Sequence, residues 1–149
     1  MKLINITEQP HLFFDLLPAD WQETLLPEWS FYKNYAQVLV LHQGDEICAG
    51  GIIFESFAPG MEAFEVTAEE WFDKGYRYVG YVWVPEKQRG KGYGSLWLKT
   101  LIQQFPKSGF WLTTEEKELR KFYEHTYFNF QQSLRTGTIE EDLFVHDPA

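Results

Sequence analysis

The sequence predicts a mixed α/β domain, and three observations carry that expectation. Runs of β-forming residues occupy both halves of the chain: "AQVLVLH" and "EICAGGIIFES" come early, "FWLTT", "FNFQQSLR" and "IEEDLFVHD" late. Between them "YRYVGYVWV" is apolar on both alternating faces, as expected of a central strand covered on both sides. Directly after it a glycine-rich turn, "RGKGYG", opens a segment in which Gly94, Trp97, Leu98, Leu101, Ile102 and Phe105 recur at three- and four-residue spacing. That spacing makes one apolar helical face, so the core unit reads strand, turn, helix, strand, helix.

The remaining elements follow in order. "KLINI" reads as a short strand, and Pro18 and Pro27 limit the Leu- and Trp-rich stretch after it to one or two short helices, best placed at "ADWQETLL". "AQVLVLH" and "EICAGGIIFES" flank "QGD", a three-residue turn containing glycine, and so form an antiparallel hairpin. Gly50 and Gly51 inside its second strand imply a bulge or a close backbone approach. Ala58 to Gly75 forms an acidic connection with a short helix around "TAEEWFDK", where Thr67 and Glu70 stand at capping-box spacing. Pro106 and Gly109 end the helix that the glycine turn opens. "EEKELRKFYEHTYF" is a further helix, buried through Leu119, Phe122 and Tyr123, and the last two strands meet across a turn at Thr136 to Thr138.

With 149 residues, and no repeat or linker, the chain reads as a single domain spanning 1–149. Its 44% hydrophobic and 18% aromatic residues are ample for one core. Cys48 is the only cysteine, which excludes an internal disulfide and paired-cysteine zinc sites. His11, His42, His125 and His146 lack metal-ligand spacing, so no metal is expected. A net charge of -9 argues against a nucleic-acid partner and suits a cationic substrate. The apolar runs are too short to span a bilayer and "MKLINITEQP" does not resemble a signal peptide, so a cytoplasmic location without a membrane partner is expected.

A turn leading from a strand into a helix leaves the first amides of that helix without internal partners, and an anion fits there. Gly90, Gly92 and Gly94 remove the β-carbons that would hold a phosphate away, and Arg89 and Lys91 add charge, so the string reads either as a pyrophosphate site or as a purely structural tight turn with a solvated basic pair. Two other nucleotide motifs fail on spacing. Lys91 is followed by Gly92 rather than the Ser or Thr of a P-loop, and the three glycines fall two apart rather than as G-x-G-x-x-G.

"RGKGYG", Arg89 to Gly94, resembles the R-x-x-G-x-G signature of the GNAT N-acetyltransferase superfamily. Val84 stands five residues before the arginine, where that family ends its central strand, and "KFYEHTYF", Lys121 to Phe128, is similar to the family's "FYEKLGF" helix end. The resemblance covers Tyr78 to Phe128. It implies a GNAT-like, mostly antiparallel sheet with helices on both faces, and direct transfer of an acetyl group from acetyl-coenzyme A to a primary amine of a small molecule or peptide. The cofactor contacts it implies run from Gln88 through Arg89, Gly90, Lys91, Gly92, Tyr93 and Gly94 to Ser95. Trp83 and Val84 would border the pantetheine arm and offer a backbone amide to the developing oxyanion.

The resemblance also implies a general acid, Tyr123, for the departing thiolate. A lysine-like amine with a pKa near 10.4 is neutral in only about one molecule in 2,500 at pH 7, worth roughly 4.6 kcal/mol, so a proton exit is required. Glu55, at the end of the preceding strand, Glu86 in the loop, or a water chain are the candidates for it. Glu62, Glu65, Glu69, Glu70 and Asp73 form an acidic face suited to a substrate lid or to solvent, and Phe31, Tyr32, Trp71 and Tyr76 are candidates for the acceptor pocket or the core. Two positions depart from the family pattern: Glu116 replaces a frequent cofactor-touching Asn, and Tyr127 replaces a glycine. Thr113 and Glu116 fit a second capping box. The alternative reading is a catalytically silent acyl-coenzyme A binding module. The oligomeric state is not legible, and a homodimer stays open.

Overall fold

Strand β4 (Arg77–Trp83) is the middle member of a seven-stranded sheet, as its two apolar faces require. The computed structural model describes residues 2–149. Before β4 the chain forms β1 (Ile4–Asn5), α1 (His11–Phe14), α2 (Ala19–Leu25), α3 (Trp29–Tyr32), β2 (Ala36–Gln43), β3 (Glu46–Phe54) and α4 (Glu65–Asp73). After it come α5 (Tyr93–Gln104), β5 (Phe110–Thr114), α6 (Arg120–His125), β6 (Asn129–Thr136) and β7 (Ile139–His146). The sheet order is β1-β2-β3-β4-β5-β7-β6, and every neighbouring pair is antiparallel except β4 with β5.

The sheet is covered on both sides. One core joins Phe13, Leu25, Val38, Ile52, Phe54 and Trp71 beneath α1 to α4. The other joins Leu39, Ile53, Trp97, Leu98, Leu101 and Phe128 beneath α5 and α6. Gly50 and Gly51 show why β3 carries adjacent glycines. A Cβ on Gly50 would lie 2.4 Å from the Phe13 ring, and one on Gly51 would lie 2.6 Å from the Trp97 indole on the opposite face. Trp97 is wholly buried and its indole N–H donates to the Leu39 carbonyl at 3.0 Å, so it has nowhere to retreat. Gly51→Ala is therefore expected to lower folding stability by about 1–3 kcal/mol in urea denaturation.

Two capping boxes expected from spacing do not form. Helix α4 begins at Glu65, ahead of Thr67, because the 3-10 turn Met61–Phe64 leads directly into it and anchors buried Met61 in the core. Thr113 remains in β5, which pairs with β7 across its whole length, and its hydroxyl donates to Glu141 Oε1 at 3.1 Å. The Glu116 amide bonds instead to Thr114 Oγ1. The helix read over "EEKELRKFYEHTYF" shortens to a 3-10 turn at Lys117–Leu119 followed by α6.

Candidate functional site

Strands β4 and β5 hydrogen-bond in register only at Arg77 with Phe110 and Tyr78 with Trp111, although β4 continues to Trp83 and β5 to Thr114. Beyond Tyr78 they splay into a V. The cause lies in β4: Trp83 pairs with Gly50 and Gly80 with Ile52, so three steps along β4 match two along β3. That extra residue is a bulge, and it places Tyr81 at φ 55, a left-handed conformation that a bulky residue adopts only when its surroundings hold it. They do: the Tyr81 hydroxyl is 2.9 Å from Thr24 Oγ1, and its ring packs edge-on to Trp21 at 5.6 Å.

The V encloses a cavity of about 590 Å³. One wall is the free edge of β4 from Val79 to Trp83, the other Leu112 to Glu116, with Trp21 and Thr24 of α2 above and Tyr123 and Glu141 completing the lining. Tyr123 projects from α6 with its ring against Phe122, Phe128 and Phe144 at 5.2, 6.4 and 5.3 Å. Its hydroxyl has no protein hydrogen-bond partner among the described residues, and burial, reinforced by the charge of Glu116, pushes its pKa up to about 12. Glu141 of β7 is half-buried. Burial raises its pKa, the Thr113 hydroxyl pulls against that rise, and nearby Glu115 adds to it.

The glycine turn lies where β4 passes into α5. Its entry is secured by Glu46, which accepts from Lys87 Nζ and from the amide side chain of buried Gln88, both at 2.8 Å. These contacts lower the Glu46 pKa, with the Lys87 hydrogen bond the main cause. The backbone amides of Gln88 and Arg89 are used internally, by the carbonyls of Pro85 and Glu86. Arg89 donates from Nε to the Val84 carbonyl at 3.0 Å and lays its guanidinium 4.6 Å from the Trp83 ring. From Gly90 to Ser95, by contrast, no amide finds a protein acceptor among the described residues. The first bond of the helix is that of Leu96 to Gly92.

The three glycines are not equivalent. Gly90 and Gly92 have φ of 78 and 80 and open space where a Cβ would project. Gly94 is helical, and a Cβ there would make ordinary contacts at 3.5 Å with Val84 and 3.7 Å with Phe122. An anion held by amides 90–95 would therefore approach over Gly90 and Gly92, with Lys91 beside it.

Several sequence candidates lie elsewhere. Glu55 follows β3, which runs antiparallel to β4, so it sits beside Arg77 at the end of β4 away from the V. Glu86 is exposed in the 3-10 turn and does not line the V. None of Glu62, Glu65, Glu69, Glu70 or Asp73 lines the V either, because α4 packs through Ala68 and Trp71 near the start of β4. Tyr32 and Trp71 belong to the core, Phe31 is exposed, and Tyr76 borders a cavity at the rear of β4. The aromatic groups at the V are Trp21, Tyr78, Tyr81, Trp83 and Tyr123. Glu141 escaped the sequence reading because its strand reaches the site only through the insertion of β7 between β5 and β6.

A sequence model described as the Acetyltransferase (GNAT) family matches residues 6–128. No curated protein matches the chain. Among solved structures, a GNAT-family protein from Desulfovibrio desulfuricans superposes with a TM-score of 0.67 at 11% identity, covering 99% of this chain and 98% of that one. The aminoglycoside acetyltransferase AAC(6')-Ib, in complex with coenzyme A and kanamycin, gives a TM-score of 0.70 at 17% identity over 98% of this chain and 94% of its own. A GNAT-family protein from Bacteroides thetaiotaomicron gives 0.68 at 17% identity, covering 100% and 88%.

Proposed function

This chain belongs to the GNAT acetyltransferase family, and from that premise we propose that it transfers an acetyl group from acetyl-coenzyme A to a primary amine. The observation that carries the reading is the run of amides from Gly90 to Ser95 with no protein acceptor, set beside Arg89 and Lys91 at the mouth of the V. Such a run binds a diphosphate, and the adjoining β4 edge from Trp83 inward suits an extended pantetheine arm. When bound, acetyl-coenzyme A supplies an activated thioester.

Each further demand has a residue in the V. Glu115, Glu116 and Glu141 give the cavity a negative lining that attracts an ammonium, and the indoles of Trp21 and Trp83 offer faces for its hydrocarbon part. Glu141 takes the amine proton, directly or through water, because its raised pKa brings a carboxylate nearer to the basicity that this transfer needs. An amide on the free edge of β4 near the bulge faces the carbonyl oxygen on which negative charge collects. Tyr123 holds a proton with no competing protein acceptor and delivers it to the departing sulfur.

The test is thiol release from acetyl-coenzyme A across a panel of mono-, di- and polyamines, alongside calorimetry with coenzyme A. Binding together with amine-dependent thiol release is expected. Binding without thiol release from any amine would leave only a silent binding module. The loop is probed separately by two variants. Gly92→Ala should weaken coenzyme A about tenfold or more, by pushing a Cβ into the anion's path and costing about 1 kcal/mol at a left-handed residue. Gly94→Ala should stay within about threefold of wild type. Equal effects would place the anion elsewhere.

A further inference from the structure

Arg77 begins β4 at the end remote from the V, and its side chain is half-buried. The guanidinium lies 4.7 Å from the Phe105 ring centroid and 5.3 Å from that of Phe110, and its Nε donates to Ser108 Oγ at 3.0 Å. Among the described residues its two Nη groups have no acceptor, and it forms no ion pair. Glu55 is near enough to act on the charge, yet burial is the larger influence and disfavours the charged form. An arginine does not escape such a position by losing its proton, so a half-buried fork with free donors is a place for an anion.

The space beside it is of ligand size. A cavity of about 640 Å³ adjoins Arg77, walled by Phe72, Tyr76, Phe105 and Pro106, with Lys107 at its rim. Its walls are fixed in advance. The Tyr76 hydroxyl donates to Asp147 Oδ1 at 2.6 Å, the Ala149 amide donates to the Pro106 carbonyl at 2.8 Å, and the Tyr76 ring rests on Gly109, where a Cβ would come within 2.6 Å of it. In a chain of net charge -9, this cavity sets two cations, Arg77 and Lys107, against the single carboxylate of Glu55.

We propose that this rear cavity binds a small monocarboxylate with an apolar body. Its carboxylate lies bidentate on the Arg77 guanidinium, and its hydrocarbon part fills the space between Phe72, Tyr76 and Phe105. A planar fork between aromatic rings selects a carboxylate over a point-charge partner, and the aromatic walls reject a highly hydrated anion. The class includes simple aryl or alkyl carboxylates and apolar amino acids, and the ammonium of an amino acid would face Glu55.

Calorimetry on the full chain tests this with 3-phenylpropanoate, phenylalanine and 3-phenylpropanamide, which has a similar body and no charge. Saturable binding of the carboxylates and none of the amide is expected. Arg77→Met should weaken binding about tenfold or more, and Lys107→Glu, at an exposed position that leaves the fold intact, about threefold. Phenylalanine binding more tightly than 3-phenylpropanoate, with that margin lost in Glu55→Gln, assigns the ligand to amino acids; the reverse order assigns it to simple carboxylates. Absence of saturable heat, equal binding of the amide, or affinity unchanged in Arg77→Met overturns the proposal. Should Arg77→Met fail to fold, an unchanged affinity in Lys107→Glu overturns it alone. Coenzyme A titrations should be the same in all these variants, so this site and the glycine turn fail or stand separately.

Discussion

Glu141→Gln is expected to lower kcat for amine acetylation by about two to three orders of magnitude, the usual cost of losing a positioned general base. The same substitution is expected to raise thermal stability at neutral pH. Both effects come from one cause. Burial raises the Glu141 pKa above its ordinary 4.5, so the folded chain holds that proton more tightly than the unfolded chain does. Stability attributable to Glu141 is therefore full below the unfolded value and is lost as pH rises through the folded one. Glutamine never ionises, keeps an oxygen for the Thr113 hydroxyl, and removes that loss. The wild-type kcat profile should rise through the folded pKa of Glu141, and that limb should vanish in the variant. Steady-state kinetics and melting curves from pH 4 to 8 check both arms. An unchanged kcat with the limb intact would assign the proton to water alone.

Tyr123→Phe is the second large effect, a fall in kcat of about tenfold to a hundredfold with KM for acetyl-coenzyme A within about threefold. Phenylalanine keeps the ring packing on Phe122, Phe128 and Phe144, so the loss isolates the hydroxyl. With its pKa near 12, Tyr123 stays protonated until about pH 11 and should contribute no falling limb to the profile below that. Turnover unchanged within a factor of two would reduce Tyr123 to a core residue. A variant whose rate falls only through a lower melting temperature would do the same.

The glycine turn itself was largely legible. "RGKGYG" is a local signal: glycine spacing, basic neighbours and the start of an apolar helical stripe all lie within one stretch of chain, and the geometry of a turn follows from the residues that make it. Within that stretch the sequence treats three glycines alike, whereas Gly92 has positive φ beneath open space and Gly94 sits in an ordinary helical turn. Gln88 also changes character. Its side chain braces Glu46 across the β2–β3 hairpin, a partner 42 positions away that no motif announces.

The lining of the V was not legible, and Glu55 and Glu141 show why. Glu55 ends the strand that precedes β4 in the chain, which makes it near in sequence, but antiparallel pairing carries it to the end of β4 remote from the V. Glu141 lies 58 positions beyond Trp83 and reaches the V because β7 pairs with β5. Thr113 likewise has capping-box spacing to Glu116, yet it serves Glu141 because strand pairing holds it extended.

Periodicity and turn chemistry act over a few residues, and from them alone came the order of elements, the doubly covered central strand and the glycine turn that opens α5. Folding decided the splay of β4 from β5, the bulge at Tyr81, the carboxylate opposite Tyr123 and the cavity behind Arg77. Each of these depends on which distant strands lie side by side and in what register, and that choice is made by the packing of the whole core, since no short stretch of chain contains it.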